Sequence, residues 1–249
     1  YALVALSGLT MAIKQAAQNP ATALAALAAA AVGAWLFVRR QHRLADPLLT
    51  FDIFRSRLFT GGVLAAAGGM FVLAGAELMT TQKLQLVDAL TPLAAGATVA
   101  VMALSAIPAS VLGGAYLHKI GFLPLIAGGF FGAVVGAVAL ATGWTSIGMV
   151  LLGLSAGSVM SVSSIAIIGS APMHRSGMAA GVEEVSYELG TLITVALTGS
   201  LLQAALDRGA DYTAAYNQVI GVLAAGAACF AVATWWCFRD NPKSGGVDA

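Results

Sequence analysis

Eight apolar stretches, separated only by short polar or basic connectors, leave this chain one solvent in which to fold. They cover residues 1–13, 21–38, 59–81, 92–117, 122–142, 146–170, 176–203 and 218–238. A hydrocarbon layer about 30 Å thick takes roughly 20 apolar residues to cross as a helix. Segments of this length satisfy their own backbone amides in lipid only as helices. Charged residues make up 9% of the 249, against about 25% in ordinary soluble domains, and the mean hydropathy is +0.88. The expectation is an all-α integral membrane protein with about eight transmembrane helices. The first stretch is too short for a full span, and Tyr1 opens inside it. It reads as the outer part of a truncated helix in a chain that begins part-way through a longer protein, with no secretory signal visible.

Basic residues set the orientation. Arg39, Arg40, Arg43, Arg55, Arg57, Lys119, Arg175, Arg239 and Lys243 fall on one side of the alternating spans; Lys14, Lys83 and Arg208 fall on the other. The positive-inside rule makes the first side cytoplasmic, the C-terminus included. Residues 39–58 read as an amphipathic cytoplasmic linker and 239–249 as a polar tail. Cys229 and Cys237 are eight apart in one span, about 12 Å along a helix and beyond disulfide reach. His42, His118 and His174 all lie in connectors on the basic side. No metal-ligand spacing, phosphate-cradling glycine loop or nucleophile elbow is visible, so neither an enzyme nor a cofactor is expected, and no nucleic-acid partner.

Three glutamates interrupt the seventh stretch, SGMAAGVEEVSYELGTLITVALTGSLLQ: Glu183, Glu184 and Glu188. At about 1.5 Å per residue, Glu188 lies roughly 18 Å from Ser176, near the middle of the hydrocarbon. Carboxylates there are costly and are kept for function or buried against a partner. Glu184 and Glu188 share a helical face with Cβ atoms about 5–6 Å apart, and such a pair resists ionising together. Two tasks suit it: carrying a proton, or receiving an organic cation that displaces one. Glu183 points about 100° away. It either joins that chemistry or has a permanent basic or hydroxyl partner that locks helices together. Glu77 lies six residues before Lys83, about 9 Å below the outer boundary. It forms a vestibule cation site, reaches up to the interface, or pairs with Lys83 or another outer charge. Tyr187 beside Glu188, with Met70 and Phe71, offers an aromatic and thioether wall to a flat cation. The hydroxyl and glycine residues of stretch six line a wet cavity or pack tightly. Gly128, Gly132 and Gly136 allow close approach of a neighbouring helix to stretch five.

Three segments carry a family resemblance: RRQHRLADPLLTFDIFRSRLFTGGVLAA from Arg39, TQKLQLVDALTPLAAG from Thr81, and APMHRSGMAAGVEEVSYELG from Ala171. Together they resemble the C-terminal part of a fourteen-helix drug:proton antiporter of the major facilitator superfamily, the branch that exports quaternary ammonium compounds and dyes. The resemblance covers nearly the whole chain. It implies that residues 1–38 are two accessory helices, that 59–238 form the C-terminal six-helix bundle, and that an N-terminal six-helix half is the missing partner in a bacterial inner membrane. It also implies that Glu183, Glu184 and Glu188 contribute to cation recognition or protonation. GAYLHKIG, from Gly114, is similar to the family's cytoplasmic loop motif but departs from it at His118, Phe122 and Leu123.

The reading that follows is half of a proton-coupled multidrug exporter moving cationic, drug-like molecules. Its substrate and proton residues are Glu188, Glu184, Glu183, Glu77 and Tyr187, and its surroundings are membrane lipid. The alternatives are a transporter of another small solute, such as an amino acid, or a non-transporting interaction or sensor subunit.

Overall fold

The computed structural model describes residues 2–15, 19–41 and 51–239. Eight α-helices follow one another: α1 (Ala2–Gln15), α2 (Pro20–Gln41), α3 (Arg57–Leu86), α4 (Pro92–Ile120), α5 (Phe122–Ala141), α6 (Thr145–Gly169), α7 (Ser176–Asp207) and α8 (Tyr212–Phe238). Short 3₁₀ turns at Phe51–Arg55 and Met173–Arg175 lead into α3 and α7, and no strand occurs among the described residues. Seven of the helices are long and apolar enough to cross a membrane; α1 is apolar but shorter. The all-α, multi-span class is thus as expected. Residues 42–50 of the linker and 240–249 of the tail lie outside the described residues.

Two boundaries move. The loop expected from Lys83 starts a turn later, because α3 runs to Leu86. Leu84 is buried there, and the Lys83 ammonium lies 4.9 Å over the Tyr216 ring, giving the last turn both an apolar anchor and a cation–π contact. The chain then turns through Ala89 in the left-handed region (φ 51°), and Thr91 caps α4 by accepting from the Ala94 amide. The loop expected over residues 207–217 shrinks likewise, because Asp211 caps α8 at Ala214 and starts the helix at Tyr212. The Tyr212 hydroxyl then donates to Gln82 on α3 at 3.2 Å.

The helices alternate in direction. On α3, Gly61, Gly68 and Gly75 meet Phe238, Phe230 and Leu223 of α8 in descending order, so α3 and α8 run antiparallel; Gly62 and Gly69 meet Ile167 and Val159 of α6 in the same sense. Helix α3 packs on α6, α7 and α8; α4 and α5 both pack on α6; α1 pairs with α2 and touches α7. The core between them is apolar, with Phe130, Ile126, Leu140, Met149, Leu152 and Leu223 almost fully enclosed. Helix α2 instead exposes Leu24, Leu27, Val32 and Trp35, a surface suited to lipid. At the end of the bundle where α3 begins and α4 and α8 finish, Arg57 lies 5.3 Å over Trp236, Lys119 5.7 Å over Tyr116 and Arg239 5.8 Å over Trp235. These pairs form the aromatic–basic rim of a membrane interface.

The glycine face of α5 is corrected by one residue. Gly132 and Gly136 meet Ser155 and Leu152 of α6, but Gly128 meets nothing and Gly129 takes its place against Val159. Spacing of 129, 132 and 136 follows the 3.6-residue turn, from which a strict four-residue series drifts. For stretch six, packing prevails over a wet cavity. Ser155 and Ser163 are buried and donate to their own helix at Leu151 and Met160, 2.6 and 2.9 Å away. Gly153 and Gly157 lie against the Met102 and Ala106 carbonyls of α4, leaving no room for a Cβ.

Candidate functional site

One close approach orients α7. Gly190 rests on the backbone of α3 at Ala67 and Phe71, where any side chain would overlap the Ala67 carbonyl. Residues seven before and four after it share that side of the helix. Glu183 and Thr194 are accordingly buried, whereas Glu184 and Glu188 lie on the opposite, exposed face. The three acids, all within six residues, therefore occupy two environments.

Glu183 is 9% exposed, beside a cluster of Phe59, Ala66, Ile167 and Ala179 that also takes in Val182 and Tyr187. The Tyr187 hydroxyl donates to Glu183 Oε1 at 2.9 Å and lies 3.5 Å from the Met160 carbonyl oxygen of α6. Of the partners open to Glu183, the one present is a hydroxyl on its own helix. Glu184 and Glu188 make no hydrogen bond or ion pair with the described residues. They remain co-facial, as their spacing requires, on a surface where Gly181 likewise meets no atom within 4 Å.

Glu77 is exposed on α3 and lines a cavity of about 380 Å³ between α3 and α4, whose walls include Leu73, Thr81, Ala100 and Met102. Lys83 is not its partner. Six residues turn the helix by about 240° from Glu77, and Lys83 is engaged on the Tyr216 ring. Phe71 does not join Tyr187 in a wall. It is buried against Gly226 and Phe230, ring centroids 5.8 Å apart, in the α3–α8 contact. Met70, half-buried on α3, is free of that contact. The candidate residues are thus brought together in three places: Glu183 with Tyr187 in the core, Glu184 with Glu188 on the open face of α7, and Glu77 in the α3–α4 cavity.

Two polar groups had no signal in the sequence. The Met160 carbonyl reaches Tyr187 only because α6 packs beside α7. The Thr194 hydroxyl is fully buried beside Gly75 with no hydrogen-bond partner among the described residues. Among the described residues no three His, Cys, Asp or Glu side chains are grouped to hold a metal ion. Cys229 and Cys237 are both free thiols.

No family model matches the chain. Individual relatives do. The chain is 33% identical over 250 residues to the multidrug efflux pump LfrA of Mycolicibacterium smegmatis, covering 94% of this chain and 50% of that protein. It is 30% identical over 174 residues to the methyl viologen resistance protein SmvA of Salmonella typhimurium, covering 67% of this chain and 35% of that protein. It is 30% identical over 206 residues to the drug efflux pump JefA of Mycobacterium tuberculosis, covering 80% and 40%. The chain spans half or less of the length of these relatives, and its similarity is to proteins named as drug efflux or resistance proteins.

Proposed function

We propose that this chain is the C-terminal portion of a proton-coupled multidrug exporter that moves organic cations across a bacterial inner membrane by alternating access. In this reading α1 and α2 are accessory spans, α3 to α8 are one six-helix bundle, and the basic rim and C-terminal tail face the cytoplasm. A second bundle, outside this chain, closes the cavity against the open face of α7. Glu184 and Glu188 meet the cation there, and proton uptake on that face releases it.

The observation that carries the reading is the Glu184/Glu188 face, exposed and without a hydrogen bond or ion pair among the described residues. A carboxylate deep in a membrane bundle without a fixed cation retains its charge for a guest that comes and goes. Similarity to named efflux pumps supports the substrate class. An anionic solute would ask for Arg or Lys on this face, and α7 carries neither within its length. The test is Glu188→Gln in the full-length protein, reconstituted with an imposed proton gradient. Efflux of a cationic dye such as ethidium is expected to stop with the protein amount unchanged. Undiminished efflux removes Glu188 from the mechanism.

A further inference from the structure

The Tyr187 hydroxyl has one proton and two acceptors within reach. It donates to Glu183 on its own helix at 2.9 Å, and the Met160 carbonyl oxygen on α6 lies 3.5 Å away. O–H···O bonds centre near 2.7–2.8 Å, so the first bond is made and the second is a near approach. Ser163 donates to the same Met160 carbonyl at 2.9 Å.

An ionised carboxylate only accepts hydrogen bonds, whereas a protonated one carries an O–H donor. Glu183 is almost wholly buried, and Tyr187 is its one hydrogen-bond partner among the described residues. A proton arriving on Glu183 therefore needs an acceptor, and the phenol oxygen is the one in place. Once that oxygen accepts, its own hydrogen turns to the remaining acceptor, Met160. We propose that Tyr187 is a positioning residue that relays the protonation of Glu183 to α6. With Glu183 ionised, the phenol is held on α7. With Glu183 neutral, the phenol donates to Met160 and draws α6 and α7 together. The added proton comes from water and stays on Glu183, and Tyr187 keeps its own throughout.

The surroundings leave Glu183 in control of this bond. Helices α6 and α8 carry no charged side chain along their lengths. On α3 the charged groups are Arg57, engaged on Trp236, Glu77 in its own cavity, and Lys83 on Tyr216. Lys14 of α1 lines a cavity that α7 enters at Leu192, nine residues farther along than Glu183. His174 and Arg175 are exposed ahead of α7, and on α7 itself Glu184 and Glu188 lie on the exposed face. The far side of α6 is locked to α4 at Gly153 and Gly157, so a shift of α6 is passed to the helix that walls the Glu77 cavity.

This relay rests on the exporter reading, and two measurements separate their failures. The first is the distance between spin labels at Gly169→Cys on α6 and Gly181→Cys on α7, in the full-length protein with Cys229 and Cys237 replaced by alanine. From alkaline to acid pH the distance is expected to shorten. Tyr187→Phe is expected to remove that response. Glu183→Gln, whose amide donates as the neutral acid does, should give the short distance at both pH values. The second is proton-driven dye efflux, expected to fall roughly tenfold in Tyr187→Phe, the loss of about one hydrogen bond, with dye binding unchanged. A pH response that persists in Tyr187→Phe overturns the relay. So does one that persists in Glu183→Gln, which decides the matter if the phenylalanine variant fails to fold. A wild-type protein whose distance responds to pH but which drives no efflux defeats the exporter reading and leaves the relay standing.

Discussion

Gly190→Ala tests the contact from which the whole disposition of α7 follows. A Cβ at this position would lie 3.0 Å from the Ala67 carbonyl carbon and 3.1 Å from the Phe71 amide nitrogen, and closer still to the Ala67 oxygen. Carbon–carbon contacts are relaxed at about 3.5–4.0 Å. These neighbours are backbone atoms, so no rotamer change relieves the overlap, and α7 must withdraw from α3 by about 0.5–1 Å. Overpacking of this kind costs up to about 3 kcal/mol. The better helix propensity of alanine returns about 1 kcal/mol. The net loss of about 2 kcal/mol corresponds to a fall of roughly 4–8 °C in apparent Tm for a domain of this size. Gly221→Ala is the matched control. It lies on α8 with nothing within 4 Å of its would-be Cβ, so only the propensity gain remains and its Tm should hold or rise. The assay is thermal unfolding of the detergent-solubilised full-length protein, followed by tryptophan fluorescence. Equal shifts of the same sign in both variants would refute the close α3–α7 approach, and with it the division of the acids between a buried and an open face.

Two further outcomes follow from the site. Glu184→Gln leaves one carboxylate on the open face of α7, so transport of divalent cations should drop well below that of monovalent ones in a paired efflux assay; an unchanged ratio counts against a two-carboxylate site. Thr194→Val removes a buried hydroxyl that has no partner among the described residues while keeping its shape, and should be neutral or stabilising by up to about 1 kcal/mol in the same thermal assay. A clear loss of stability or of transport would mean that the hydroxyl serves a group outside the described residues.

Length and hydropathy alone were enough to locate the spans, because a lipid core sets a minimum run of apolar residues that few other structures need. The same signal misplaced helix ends. Gln82 and Lys83 are polar and look like loop, yet α3 continues through them, because Leu84 stays buried and the Lys83 ammonium has an aromatic face to sit on. Asp211 looks like loop too, but it caps α8. Hydropathy reports where lipid is, whereas caps and local contacts decide where a helix stops. The Glu184/Glu188 face was legible from four-residue spacing. The surroundings of Glu183 were not, because they depend on which helices pack beside α7, and that is set by the contact of Gly190 with Ala67.

Tyr187 shows how closely the chemistry follows that geometry. Adjacency in the chain pairs it with Glu188, but neighbours in a helix diverge by about 100°. The residue four before it is the one it meets, and that residue is the buried Glu183. The acids of α7 thus divide between a buried and an exposed environment. The open face keeps two carboxylates without partners among the described residues, which in the proposed exporter suits a guest that leaves. The core keeps one carboxylate whose bond to Tyr187 would, in the proposed relay, report its protonation to α6. A helix that carried all three acids on one face would concentrate charge and gain no such report. In the proposed exporter, the turn of about 100° between Glu183 and Glu184 would let a change of proton occupancy be felt by the scaffold while the binding surface stays free.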